Sequence, residues 1–114
     1  MSHMNLQRSV ADMLKEWRMW AEKVARATER ILPKSEVYVL GSVLGGDYTG
    51  GSDIDILIVS EMIPDSLLKR AEIKSSIEEE ANLPLIHKMQ IHLTKREEAE
   101  LYVRRAGRHI IRLR

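Results

Sequence analysis

The sequence predicts an α/β fold in which a small, mixed, twisted sheet is flanked by helices. Three observations predict it. Runs rich in β-branched and aliphatic residues at 36–40, 53–59 and 85–94 read as strands. The segments around them repeat apolar residues in steps of three and four, the period of a helix packed on one face. A glycine-rich loop joins the first two strands, and the second opens on paired carboxylates.

Each element follows in order. From 5 to 31, Leu6, Val10, Met13, Leu14, Trp17, Trp20, Ala21, Val24, Ala27 and Ile31 form the stripe of one long amphipathic helix. Asn5 is its expected cap, and Pro33 stops it. The stripe is expected to pack on the sheet. Leu6, Met13 and Trp17 would become a homodimer or partner surface where the helix outruns the sheet. Glu36-Val37-Tyr38-Val39-Leu40 is the first strand, and Gly41 breaks it. The loop from Val43 to Gly51 has room for a short helical turn.

In the next strand Asp53, Asp55, Leu57 and Val59 share one face, and Ile54, Ile56 and Ile58 take the other as core. Pro64-Asp65 opens a second helix, 64–82, with Leu67, Leu68, Ala71, Ile73, Ile77 and Ala81 as its stripe. Glu78-Glu79-Glu80 is a solvated face. After the break at Asn82-Leu83-Pro84, the strand 85–94 turns Met89, Ile91 and Leu93 one way and Lys88, Gln90 and His92 the other. Thr94-Lys95-Arg96-Glu97 reads as a capping box for a third helix that ends at Gly107. His109 to Leu113 reads as a short edge strand.

Composition bounds the function. The 114 residues suffice for one domain, 4–114. Met1-Ser2-His3, ahead of a second methionine, reads as a tag remnant. Hydrophobic content of 44% with 31% charged residues is that of a globular domain. There is no cysteine, so disulfides and thiolate zinc sites are excluded. No apolar run reaches transmembrane length and no leader is visible, so a cytoplasmic location without membrane association is expected. A net charge of +1 gives no bulk attraction for nucleic acid, although Arg104, Arg105, Arg108, Arg112 and Arg114 crowd the tail.

The chemistry lies between Gly41 and Val59. A glycine directly after a strand lets backbone N–H groups approach a ligand, and the Ser42 hydroxyl can donate to a phosphate oxygen. Carboxylates two apart on a strand repel each other, and a divalent cation relieves the repulsion. Hard oxygen donors suit Mg²⁺ or Mn²⁺, which also take substrate phosphates. A phosphate-type turn followed by a metal-type acidic pair points to phosphoryl or nucleotidyl transfer. Alone, a Gly-Ser is a turn and an Asp-x-Asp a strand-end pair.

The order Gly41-Ser42, ten residues from Val43 to Ser52, then Asp53-Ile54-Asp55 resembles the minimal nucleotidyltransferase (MNT) domain. That domain belongs to the DNA polymerase β superfamily, with kanamycin nucleotidyltransferase and the antitoxin halves of HEPN/MNT toxin–antitoxin pairs. The resemblance covers about residues 20 to 105. It implies a nucleotidyltransferase fold, ATP or another nucleoside triphosphate as substrate, and Mg²⁺ or Mn²⁺ as cofactor. It also implies Asp53 and Asp55 as catalytic metal ligands, and Gly41, Ser42 and Ser52 as nucleotide-binding residues. The implied acceptor is a HEPN-domain partner, nucleotidylated on a tyrosine.

Two positions depart from the family pattern. Gly45 stands where many members carry arginine, and Gln90 where members carry a third carboxylate. Gln90 and His92 are the expected third-strand contributors. An amide can ligate through oxygen but is a poor general base. The alternative is therefore a catalytically weakened module that binds a nucleotide or a partner. An RNA-binding module using the arginine tail is a third reading.

Overall fold

The computed structural model describes residues 13–46, 53–85 and 87–114. The expected cap Asn5, the stripe residues Leu6 and Val10, and Gly50, Gly51 and Ser52 lie outside the described residues. A helical turn at 13–15 leads into α1 (Trp17–Ile31). Then come β1 (Glu36–Leu40), a 3-10 turn (Ser42–Gly45), β2 (Ile54–Val59), α2 (Leu67–Glu80), β3 (Met89–Thr94), α3 (Arg96–Ala106) and β4 (Ile110–Arg112). The strands make one mixed sheet in the order β3-β2-β1-β4. β1 is antiparallel to β2 and β4, and β2 is parallel to β3. A parallel pair cannot be joined by a tight turn, so α2 makes the crossover.

Both faces of the sheet are covered. On one side Ile54, Ile56 and Ile58 of β2 join Val37, Val39, Met89, Ile91 and Leu93 in a core with α1 and the end of α2. On the other, Leu57 and Val59 meet Leu40 of β1 and Ala99 of α3. The face carrying Asp55 is therefore a second core, and Asp55 is the one β2 side chain that is not buried.

α1 buries Trp17, Ala21, Val24, Ala25, Ala27 and Thr28. The small residues let the helix sit close to the sheet. Thr28, fully buried, satisfies its hydroxyl by donating to the Val24 carbonyl at 2.7 Å. Met13 and Trp17, expected as a dimer surface, are instead buried in this core.

The expected stripe of the second helix is corrected at its N-terminal half. Ile77 and Ala81 are buried, but Leu67 and Leu68 are 80% and 72% exposed, and Ala71 is exposed as well. From Ile73 onward its apolar side chains pack against the core that α1 forms with the sheet. The helix starts later than Pro64-Asp65 because Ser66 caps it, accepting from Lys69 N at 3.2 Å. Arg70 ties this start to the sheet, donating to the carbonyls of Pro64 and Leu93 and to Glu98.

The third helix likewise begins one residue later than expected. Lys95 N donates to Glu98 Oε1 at 2.8 Å. Thr94 stays in β3, where its buried hydroxyl donates to the Ile58 carbonyl at 2.9 Å. Gly107, at φ +59°, ends the helix, and β4 is an edge strand as expected.

Two stability predictions follow from this packing. Ile77→Ala leaves a hole in a fully buried site and is expected to cost about 2–5 kcal/mol. Leu67→Ala is expected to change stability by less than about 0.5 kcal/mol. Urea unfolding of both variants checks the contrast.

A third prediction concerns Glu36. Its carboxylate accepts from the Tyr38 hydroxyl at 2.6 Å and from Arg96 at 2.5 Å, and these bonds hold it below its usual 4.5. The same bond to Glu36 raises the Tyr38 phenol above its usual 10.0. A lowered carboxyl stabilises the fold above its unfolded-state value and loses that contribution as pH falls through the folded-state value. The raised phenol keeps its contribution until pH rises through its own folded-state value. Tyr38→Phe is thus expected to cost about 1 kcal/mol at neutral pH. In melts across the acid range, the difference from wild type should vanish once pH falls well below 4.5.

Candidate functional site

The site lies where β1 ends and β2 begins. Antiparallel pairing sets Leu40 opposite Asp55, so the chain leaves the sheet at Gly41 beside the carboxylate. Gly41 has φ +100°, which disfavours any side chain. A Cβ there would also lie only 3.1 Å from Asp55 Oδ2. The glycine thus gives the turn its shape and the carboxylate its room. The 3-10 turn follows, with Leu44 N donating to the Gly41 carbonyl and Gly46 N to that of Val43. Val43 is buried and anchors the turn, while Ser42 next to it is exposed.

β3 supplies the opposite wall. Its parallel register places Gln90 beside Asp55 and His92 beside Leu57. Both therefore stand on the Asp55 face, as the alternation predicted. His92 Nε2 lies 3.2 Å from Asp55 Oδ1. An ionised carboxylate only accepts, so the imidazole donates from Nε2. The ring of Tyr102, on α3, stands 4.9 Å from the His92 ring and supports it. Asp53 precedes β2, with Lys88 Nζ 3.9 Å from its Oδ1. The side chains of Asp53 and Asp55 are 44% and 37% exposed, so both carboxylates reach solvent.

A cleft of about 300 Å³ opens here, lined by Leu40, Gly41, Asp55, His92, Tyr102, Arg105 and Ala106. The structure brings Gly41, Asp55 and His92 together in it. Gln90 is exposed beside Asp55 on the edge strand, and Asp53 lies one strand step further along. Ser52 is outside the described residues. Among the described residues no cluster of three or more histidine, aspartate or glutamate side chains forms a metal cage. Among the described residues of the site, those able to hold a hard divalent cation are the two aspartates, with the Gln90 amide as a neutral neighbour. Two accessible carboxylates suit an ion that keeps much of its water and shares itself with phosphates.

Tyr102 and Arg105 were not expected in the site. Their signal lay in the helical spacing, since Tyr102, Arg105 and Ala106 fall on one face at i, i+3 and i+4. The contact between Gly41 N and the His109 carbonyl, 3.1 Å, spans most of the chain and had no local signal.

No curated protein is similar to this chain. Solved structures are, among them the two that follow. One, of a candidate nucleotidyltransferase, is 28% identical, with a TM-score of 0.64 over 82% of this chain and 96% of that one. The other, of a candidate nucleotidyltransferase from Sulfolobus solfataricus, is 24% identical, with a TM-score of 0.53 over 98% of this chain and 89% of that one, and shows the likeness of fold. The family pattern of the nucleotidyltransferase domain matches residues 21–107, from within α1 to the glycine that ends α3. That span takes in the Gly41 turn, the Asp53–Asp55 pair and the β3 wall, and the chain belongs to the nucleotidyltransferase domain family.

Proposed function

We propose that the protein transfers a nucleoside monophosphate from a nucleoside triphosphate, with ATP the foremost candidate, to an acceptor hydroxyl. The observation that carries this reading is that Asp55 Oδ2 lies only 3.1 Å from where a Cβ on Gly41 would sit. It supports a reading in which the acidic pair and the phosphate-type turn serve one small site. In the reaction the acceptor oxygen bonds to the α-phosphorus, the bond to the leaving pyrophosphate breaks, and the hydroxyl proton passes to water.

Asp53 and Asp55 would hold Mg²⁺ or Mn²⁺, which supplies charge neutralisation at the phosphates when bound. His92 holds Oδ1 of the Asp55 carboxylate and Gly41 leaves room beside Oδ2, so the carboxylate is oriented before a ligand binds. The exposed Ser42 hydroxyl donates to the phosphate tail. By resemblance the acceptor is a tyrosine of a HEPN-domain partner, which would make this chain the antitoxin.

Gln90 favours a second reading, a module that binds nucleotide without turnover. It stands in register with Asp55 where an acid could take a proton, and an amide cannot.

Calorimetric titration with ATP and Mg²⁺ tests the proposal. The wild type is expected to bind, and Asp53→Ala/Asp55→Ala to lose roughly 100-fold or more in affinity. Absence of binding by the wild type sinks the reading. Gln90→Glu separates the two alternatives, since a large gain in transfer marks the natural chain as a weakened enzyme or a binder. Gly41→Ala is expected to cost about 1–3 kcal/mol in thermal melts and to weaken Mg-ATP binding, because the added methyl crowds Asp55 Oδ2.

A further inference from the structure

A nucleoside triphosphate brings about four negative charges to a site that already holds two carboxylates, and one divalent cation offsets only part of this. A cation of the protein that faces the cleft would offset part of the remainder. The described wall of the Asp55 cleft contains one arginine, Arg105 of α3, which faces the cleft together with Gly41, Asp55 and His92. Its helix neighbours on that face, Tyr102 and Ala106, pack on the sheet core and fix the helix there. Arg30, Arg70, Arg96 and Arg114 each pair with a glutamate. Arg105 forms no such pair among the described residues.

A second group arrives from the same segment. Gly107 turns the chain back, and the His109 carbonyl accepts from Gly41 N at 3.1 Å, which pins this turn to the phosphate-type loop. The His109 imidazole then stands over the loop, with Nε2 3.9 Å from where a Cβ on Gly45 would sit. Gly45 has no side chain to offer a phosphate, and His109 occupies the space above it.

We infer that Arg105, assisted by His109, binds the β- and γ-phosphates of the nucleotide. The inference rests on the proposed nucleotidyl-transfer reading. An arginine near a helix C-terminus also has a plain electrostatic reason to be there, because cations favour that end of the dipole. That reason applies equally to Arg104, which lines a different groove with Tyr38 and Arg96. Arg104 is therefore the control for general charge.

The test is calorimetric titration of inorganic tripolyphosphate with Mg²⁺ into wild type, Arg105→Ala, Arg105→Lys, His109→Ala and Arg104→Ala, with thermal melts of each. Arg105→Ala is expected to bind roughly 10- to 100-fold more weakly at an unchanged melting temperature. Arg105→Lys should recover part of the affinity, since it restores the charge without the planar fork. His109→Ala should lose less than Arg105→Ala, and Arg104→Ala should match wild type. Equal binding by wild type and Arg105→Ala, or an equal loss in Arg104→Ala, overturns the inference. Failure of the wild type to bind tripolyphosphate overturns it too. If tripolyphosphate binding depends on Arg105 but no nucleotidyl transfer is found, the transfer reading fails and the phosphate site stands.

Discussion

The burial of β2 on both faces is the constraint on which the rest depends. Ile54, Ile56 and Ile58 face α1 and α2, and Leu57 and Val59 face α3. Each such side chain is worth roughly 1.5–3 kcal/mol when buried. A slip of one residue would exchange the two sets and drive Asp55 into the isoleucine face. The position of the carboxylate is thus fixed by its aliphatic neighbours more firmly than by any polar contact. The same register, carried across to β3, sets Gln90 beside Asp55 and brings His92 to the cleft.

Gly41 ties this sheet to its loop. The β1–β2 hairpin pairs Leu40 with Asp55, so the chain leaves and re-enters the sheet at one place. Ten residues separate Ser42 from Asp53, and the sheet holds the two ends of that span together. What cannot vary is the residue that leaves. It must adopt φ +100° and leave the Asp55 carboxylate clear. The spacing of the motif is therefore the length of a hairpin loop whose ends share one site.

The strands and the motif were legible because their signals are local. Alternation along β2 and β3 identified which side chains meet, and the Gly41 break marked the loop. The stripe of α2 was less legible. Leu67 and Leu68 satisfy the period of a packed face, but the sheet and α1 do not extend far enough to cover them, and a period does not report the size of its partner. The caps failed for a related reason. Thr94 and Ser66 both carry a hydroxyl suited to capping, yet Thr94 was claimed by the Ile58 carbonyl across the sheet. The return of the C-terminal turn to Gly41 depends on contacts between distant residues, which no window of sequence contains.

The helix α3 joins the second core to the chemistry. Ala99 and Ala106 let it lie close over Leu57 and Leu40, and that closeness brings Tyr102 against His92. Support then passes from the Tyr102 ring to the His92 imidazole and on to Asp55 Oδ1, while Gly41 bounds Oδ2. Gln90, exposed on the edge strand, lies outside this chain of contacts and brings no charge. Under the proposed reading, a hard cation at the described site would be held by the two aspartates. Of these, Asp55 has one oxygen engaged by His92 and the other facing the space that Gly41 leaves clear, so a cation would approach on the exposed side of the carboxylate, where the cleft is open.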